Sequence, residues 1–147
     1  MRALLAVPLL LAAGAPAPVL QPGLWEIAGE PGVASLDGKP LADLPYTSKP
    51  PERVCLTAAE ASAPAKWLAR DTPGDCTITA AKLTRGKVDI RGTCPPPDED
   101  RRAGSLRLTG RYTATGYDLR FATTAHGDNG TMGFSGRLTG KRVGACS

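Results

Sequence analysis

The residues of this chain whose types could do chemistry are four cysteines, one histidine and a short acidic run. Cys55, Cys76, Cys94 and Cys146 are separated by 21, 18 and 52 positions. No C-x-x-C knuckle occurs among them, so neither a zinc site nor a redox dithiol is supported. Structural disulfides are the expectation. His126 lies in a turn-like run, His126-Gly127-Asp128-Asn129-Gly130. A serine hydrolase would need it as general base, and no G-x-S-x-G marks a partner serine. Asp98-Glu99-Asp100 lacks the alternating ligands and central glycine of a calcium loop. With Arg101 and Arg102 beside it, it reads as a solvated loop. Acid–base pairs of carboxylates are defined by separation in space. A small hydrolase using carboxylate or hydroxyl chemistry therefore stands as the second reading. No phosphate-binding loop is present, and the aromatic residues are too few and too inward for a nucleic-acid stacking platform. No cofactor, metal or nucleic-acid partner is expected.

The element that must hold two of the cysteines is Asp75–Pro95, DCTITAAKLTRGKVDIRGTCP. Ile78 and Ala80 before a turn at Thr84-Arg85-Gly86, and Val88 and Ile90 after it, alternate with polar residues as in a strand with one buried face. A turn centred on Arg85 puts Ala80 opposite Ile90, Ile78 opposite Gly92 and Cys76 opposite Cys94. Opposed Cβ atoms in an antiparallel pair lie about 4.5–5.5 Å apart, close enough for local twist to bring them to disulfide distance. Given Cys76–Cys94, Cys55–Cys146 is the remaining pair.

The chain has 147 residues and a formal charge of +4, enough length for one domain that can bury a core without staples. Cysteines in such a domain point to an oxidising compartment. Arg2 followed by the apolar run Ala3–Ala13 and small residues to Ala15 reads as a secretory signal over residues 1–15, cleaved after Gly14 or Ala15. No cysteine follows the run, so no lipid anchor is expected. Residues 16–147 are then a single exported domain, periplasmic or secreted, with 17 basic against 14 acidic residues. No later apolar stretch approaches the length of about 20 residues that spans a bilayer.

Ala15–Gln21 reads as a spacer, and Trp25 and Ile27 as the core side of a first strand. Gly29–Pro51 carries six prolines and glycines before Pro50 and reads as a long loop. Glu52–Leu56 is a strand. Thr57-Ala58-Ala59-Glu60 fits a capping box. Pro64 divides the segment Thr57–Arg70 into two short helical turns, the second capped by Ser62, with Trp67 and Leu68 on the sheet. Leu106, Leu108, Gly110 and Tyr112 share one face. Tyr117, Leu119 and Phe121 share another, joined to the first by a turn at Thr115-Gly116 that places Tyr112 opposite Leu119. Met132, Phe134, Gly136 and Leu138 face inward on a last strand after Asp128-Asn129-Gly130. The predicted fold is mainly β: a curved antiparallel meander of about seven strands, a partial barrel or sandwich, with one short helical segment.

With these faces inward, Arg107, Arg111, Arg120, Arg137 and Lys141 point outward from neighbouring strands, with Asp118 as the main counter-charge. The wet side of an antiparallel sheet normally carries charge. The functional alternative is a docking face for an anionic envelope component: a polymer, a lipid headgroup or an acidic protein. An apolar small molecule within the curl is the other candidate partner.

Four features stand in order: Pro22-Gly23-Leu24-Trp25-Glu26, Cys55-Leu56-Thr57, the pair Cys76 and Cys94, and Gly140-Lys141-Arg142-Val143-Gly144-Ala145-Cys146. Together they resemble the small exported bacterial proteins grouped as domain of unknown function 3617. The resemblance covers nearly the whole exported part, and a composition rich in Ala, Gly, Pro and Arg agrees with a bacterial source. It implies an exported β-rich domain with two disulfides and no assigned activity. Relatives are often richer in methionine; here only Met132 follows the signal. The chain reads as a non-enzymatic binding or envelope-accessory domain.

Overall fold

Period-2 alternation yields nine strands and capping chemistry two short helices in the computed structural model, which describes residues 18–30, 32–42, 50–96, 99 and 102–147. The strands are β1 (Gly23–Gly29), β2 (Val33–Leu36), β3 (Lys39–Pro40), β4 (Glu52–Leu56), β5 (Thr77–Thr84), β6 (Lys87–Cys94), β7 (Gly104–Tyr112), β8 (Gly116–Gly127) and β9 (Gly130–Gly144). The helices α1 (Ala58–Ala61) and α2 (Pro64–Ala69) lie between β4 and β5. All strands belong to one antiparallel sheet, not closed into a barrel. Its path is β3-β2-β9-β8-β7-β6-β5, and β1 also pairs with β9 and with β4. On the side away from β8, the long β9 thus serves two neighbours: β2 along Met132–Ser135 and β1 along Leu138–Gly144. The predicted signal segment, half of the Pro95–Arg102 acidic loop and part of the Gly29–Pro51 loop fall outside the described residues.

Two strands lie where a long loop was expected. Asp37 (φ 48°) and Gly38 (φ 77°) are both left-handed, the arrangement that matches strand twist in a two-residue hairpin. They fold Val33–Leu36 back on Lys39–Pro40. Asp-Gly is the sequence signal for this turn; the surrounding prolines and glycines masked it. Asp37 Oδ1 also accepts from the Thr131 backbone N–H at 2.8 Å, tying this turn to the start of β9. Leu20, expected within a spacer, is fully buried, and Gln21 N–H donates to Ala114 O at 2.8 Å.

Two registers differ from expectation. Arg85 (φ 49°) and Gly86 (φ 77°) form the β5–β6 turn, so Thr84 pairs with Lys87 and Ala81, rather than Ala80, with Ile90. An irregularity between Ile78 and Ala80 leaves Thr79 unpaired and shifts the register by one. Beyond it Ile78 pairs with Gly92 and Thr77 with Thr93, which carries Cys76 to Cys94. Ala80 is exposed as a result, and Ile78 and Leu83 are the half-buried residues of β5. Between β7 and β8 the turn residues are Ala114 and Thr115, with Thr113 N–H donating to Gly116 O at 2.8 Å. Tyr112 therefore meets Tyr117, and Gly110 meets Leu119. The shift is two residues, so parity holds and Leu106, Leu108, Tyr112, Tyr117, Leu119 and Phe121 are all buried.

The inner face is filled by its own side chains. Trp25 joins the helical cover to the sheet: its ring stands edge-on to Trp67 (centroids 6.5 Å) and stacks on Tyr117 (6.0 Å). Trp25, Leu20, Leu56, Leu68, Ile90, Leu108 and Leu119 are fully buried in one cluster. The β8 aromatics lie over glycines of β9. A Cβ on Gly140 would run into the Tyr117 ring, and one on Gly136 would lie 2.8 Å from Phe121 Cε1. The capping box forms: Glu60 N–H donates to Thr57 Oγ1 (3.2 Å) and Thr57 N–H to Glu60 Oε2 (2.9 Å). Pro64 opens α2 after Ala63, not after a Ser62 cap; Ser62 closes α1 and its hydroxyl donates to Ala59 O at 2.5 Å.

Candidate binding surface

Because β7, β8 and β9 are consecutive neighbours, their outward residues fall into rows. Lys87, Arg111 and Asp118 share one row; Asp89, Thr109, Arg120 and Arg137 share the next. Arg91 and Arg107 follow, then Thr93, Ser105 and Thr124. Lys141 lies on the same face one row the other way, between Gly116 and Glu26. All five cations expected on this face are on it, across three adjacent strands.

They are not equivalent. Arg137 is clamped: its Nε and Nη2 donate to the two oxygens of Asp118 at 2.8 and 2.6 Å, and its Nη1 to Glu30 at 2.9 Å. The hydrogen bonds from Arg137 hold Asp118 below the usual aspartate range, and Asp118 in turn strengthens the hold of Arg137 on its proton. This neutralisation lets Arg137 stand directly opposite Arg120, an arrangement of like charges that is otherwise unfavourable. Arg107 and Arg91 reach Asp89 at 3.8 and 3.7 Å, and Arg53 reaches Glu26 at 3.4 Å. Among the described residues, Arg111, Arg120 and Lys141 have no carboxylate within 4.0 Å, nor do Lys82 and Lys87.

Sequence reading missed Lys82, Lys87 and Arg91, and the counter-charges Asp89 and Glu30. The alternation of Lys87, Asp89 and Arg91 with buried Val88 and Ile90 carries the signal for β6. For Lys82 there was none: its side of the sheet depends on the Thr79 bulge.

The cysteines form two bridges, Cys76–Cys94 (Cα–Cα 4.0 Å) and Cys55–Cys146 (5.6 Å), and none is free. The second ties the end of β4 to the tail beyond β9. His126 lies on β8 opposite Thr131, not in the turn expected, and is exposed, with its Nδ1 2.9 Å from Thr131 Oγ1. No group of three metal-ligating side chains gathers among the described residues. A groove beside α2 is lined by Glu60, Lys66, Trp67, Arg70 and Asp71. Its Glu60 carboxyl does not suit acid catalysis. The backbone and hydroxyl of Thr57 hold Glu60 below the usual carboxylate range, and Asp71 lies 3.6 Å from the Arg70 guanidinium. Tyr117 is pushed up by burial and then by Asp71, so its phenol stays protonated.

No curated protein and no solved structure matches the chain. No helix among the described residues is long and apolar enough to cross a membrane, and the two disulfides are compatible with an oxidising environment. Residues 20–146 match the family described as protein of unknown function (DUF3617), from buried Leu20 to the bridged Cys146. With nearly the whole chain covered, this protein belongs to the DUF3617 family.

Proposed function

We propose that this chain is an exported, non-enzymatic envelope-accessory domain that docks a partner on the outer face of its sheet. The observation that carries the reading is the segregation of the two faces. The inner face is packed with Trp25, Leu108, Leu119 and their neighbours. The apolar small molecule considered from the sequence would compete with those side chains for the same space. The outer face carries cations that have no ion-pair partner among the described residues, on a frame tied by two disulfides. Such a frame keeps the charges in fixed positions, which lowers the ordering cost of binding. The hydrolase reading gains no support from Glu60 in the groove beside α2, whose carboxyl is held below the usual range rather than raised towards neutrality.

The test is fractionation of bacteria producing the full chain. N-terminal sequencing should find Met1 to Gly14 or Ala15 removed. The mature protein should remain with the envelope in low salt and leave it when salt is raised. Unprocessed protein in the cytosol would sink the export reading, and release insensitive to salt would sink docking by charge.

A further inference from the structure

Resting on the docking reading above, we infer that the partner is an acidic polysaccharide, laid across the strands from β5 to β9. Three observations carry this. The first is the placement of the free cations. Lys82 is on β5, Lys87 on β6, Arg111 on β7, Arg120 on β8 and Lys141 on β9, all on the outer face. One unpaired cation per strand over four inter-strand steps spans about 19 Å. A single phosphate or sulfate cannot bridge that distance; an extended polyanion can engage every step.

The second is what stands between the cations. Thr109 and Thr139 sit among them, and Thr93, Ser105 and Thr124 form a row beside them. Ser105 Oγ and Thr124 Oγ1 are 2.7 Å apart. Hydroxyls donate and accept, so they match sugar hydroxyls, while guanidinium and ammonium groups match carboxylate or sulfate. The third is what the face lacks among the described residues. Its aromatics, Trp25, Tyr112, Tyr117 and Phe121, are inward and buried. Of the exposed large apolar residues, Val143 stands two residues from Lys141 on β9 and Val33 opposite Ser135, two separate valines rather than an apolar patch. Seating on a bilayer draws on buried apolar area as well as charge, and beside its cations this face offers only two scattered valines.

The experiment is retention of the disulfide-bonded mature protein on immobilised alginate, a polyuronate. Neutral dextran is the control, and phosphatidylglycerol vesicles are tested in parallel. Binding to alginate is expected at about 20 mM salt and should fall steeply by about 200 mM, as the screening length shrinks below about 10 Å. Arg111→Gln and Arg120→Gln should each weaken it about fivefold, the scale for one cation near an anionic surface. Asp118→Asn should tighten it, because it removes a negative charge from this face and leaves Arg137 only Glu30 as counter-charge; this gain separates a binding effect from misfolding. Binding to vesicles but not alginate overturns the polysaccharide assignment and leaves the docking reading standing. Binding to neither overturns both. Alginate binding unchanged in Arg111→Gln and Arg120→Gln overturns the assignment of this face, and with it the inference.

Discussion

The hairpins β5–β6 and β7–β8 are consecutive parts of one meander, yet they are held by different means. In β7–β8 each strand has a hydrogen-bonded neighbour on both sides, and alternate residues of both strands are buried. In β5–β6 the outer strand is the last of the sheet. It contributes only half-buried Ile78 and Leu83, carries a bulge at Thr79, and is tied by Cys76–Cys94. The helical cover reaches Trp25 of β1 through Trp67 and stands beside only the start of β5, where Ala69 and Ile78 are partly buried. The contrast teaches that an edge strand with a partial apolar face relies on a covalent tie, where an interior pair relies on packing. Bulge, twist and Lys82 on the edge are also features that discourage pairing with other chains.

The largest test of this contrast is truncation of the core against truncation of the edge. Leu119→Ala empties a fully buried site and should cost about 3–5 kcal/mol in urea unfolding, the range for leucine truncations in close-packed cores. Leu83→Ala, at a half-buried site of β5, should cost well under half of that. Equal losses would mean that β5 is packed like an interior strand.

Next is removal of the staple. Cys76→Ser with Cys94→Ser opens a loop of 18-residue separation and should cost about 3 kcal/mol on the chain-entropy account. Amide exchange should rise first in Thr77–Thr84 and last in β7 and β8. Uniform loss of protection would contradict a local role. The Cys55–Cys146 bridge, with a separation of 91, should cost about 4–5 kcal/mol by the same account, spread over the whole fold rather than over one hairpin.

A smaller effect is expected from deleting Thr79. The pairs on either side, Ala80 with Arg91 and Ile78 with Gly92, survive the deletion, and alternation becomes continuous. Cys76 should still bond Cys94, with stability changed little; peptide mapping without reductant checks it. Loss of the disulfide would show that the bulge supplies geometry the register alone does not.

The smallest effect concerns pH. Asp118 has its folded pKa lowered by Arg137. Its contribution to stability is present above the ordinary aspartate value of about 3.9 and is lost as pH falls below it. The pair is exposed, so the effect should be slight and salt-sensitive. Wild type should lose more melting temperature than Asp118→Asn between about pH 5 and about pH 3. Identical losses would leave the clamp without a role in stability.

These tests also mark how far the residues could be read alone. Alternation in Leu106–Tyr112 and Tyr117–Phe121 assigned the core side correctly although the turn lay one position earlier than expected, because a two-residue shift preserves parity. The capping box at Thr57 and Glu60 and the inward turn of Trp25 were equally local and equally readable.

What the sequence by itself determined was therefore the faces of the strands apart from β5, the oxidised character of the cysteines and the line of cations on β7 to β9. Each follows from side-chain period or residue type within a few positions. What only the tertiary structure decided was the division of β9 between β2 and β1, the burial of Leu20, the one-residue correction at Thr79 and the clamping of Arg137 by Asp118 and Glu30. Glu30 stands 107 residues from Arg137 in the chain. Which carboxylate neutralises which cation depends on strands that meet only when the sheet is assembled, and no local pattern encodes that meeting.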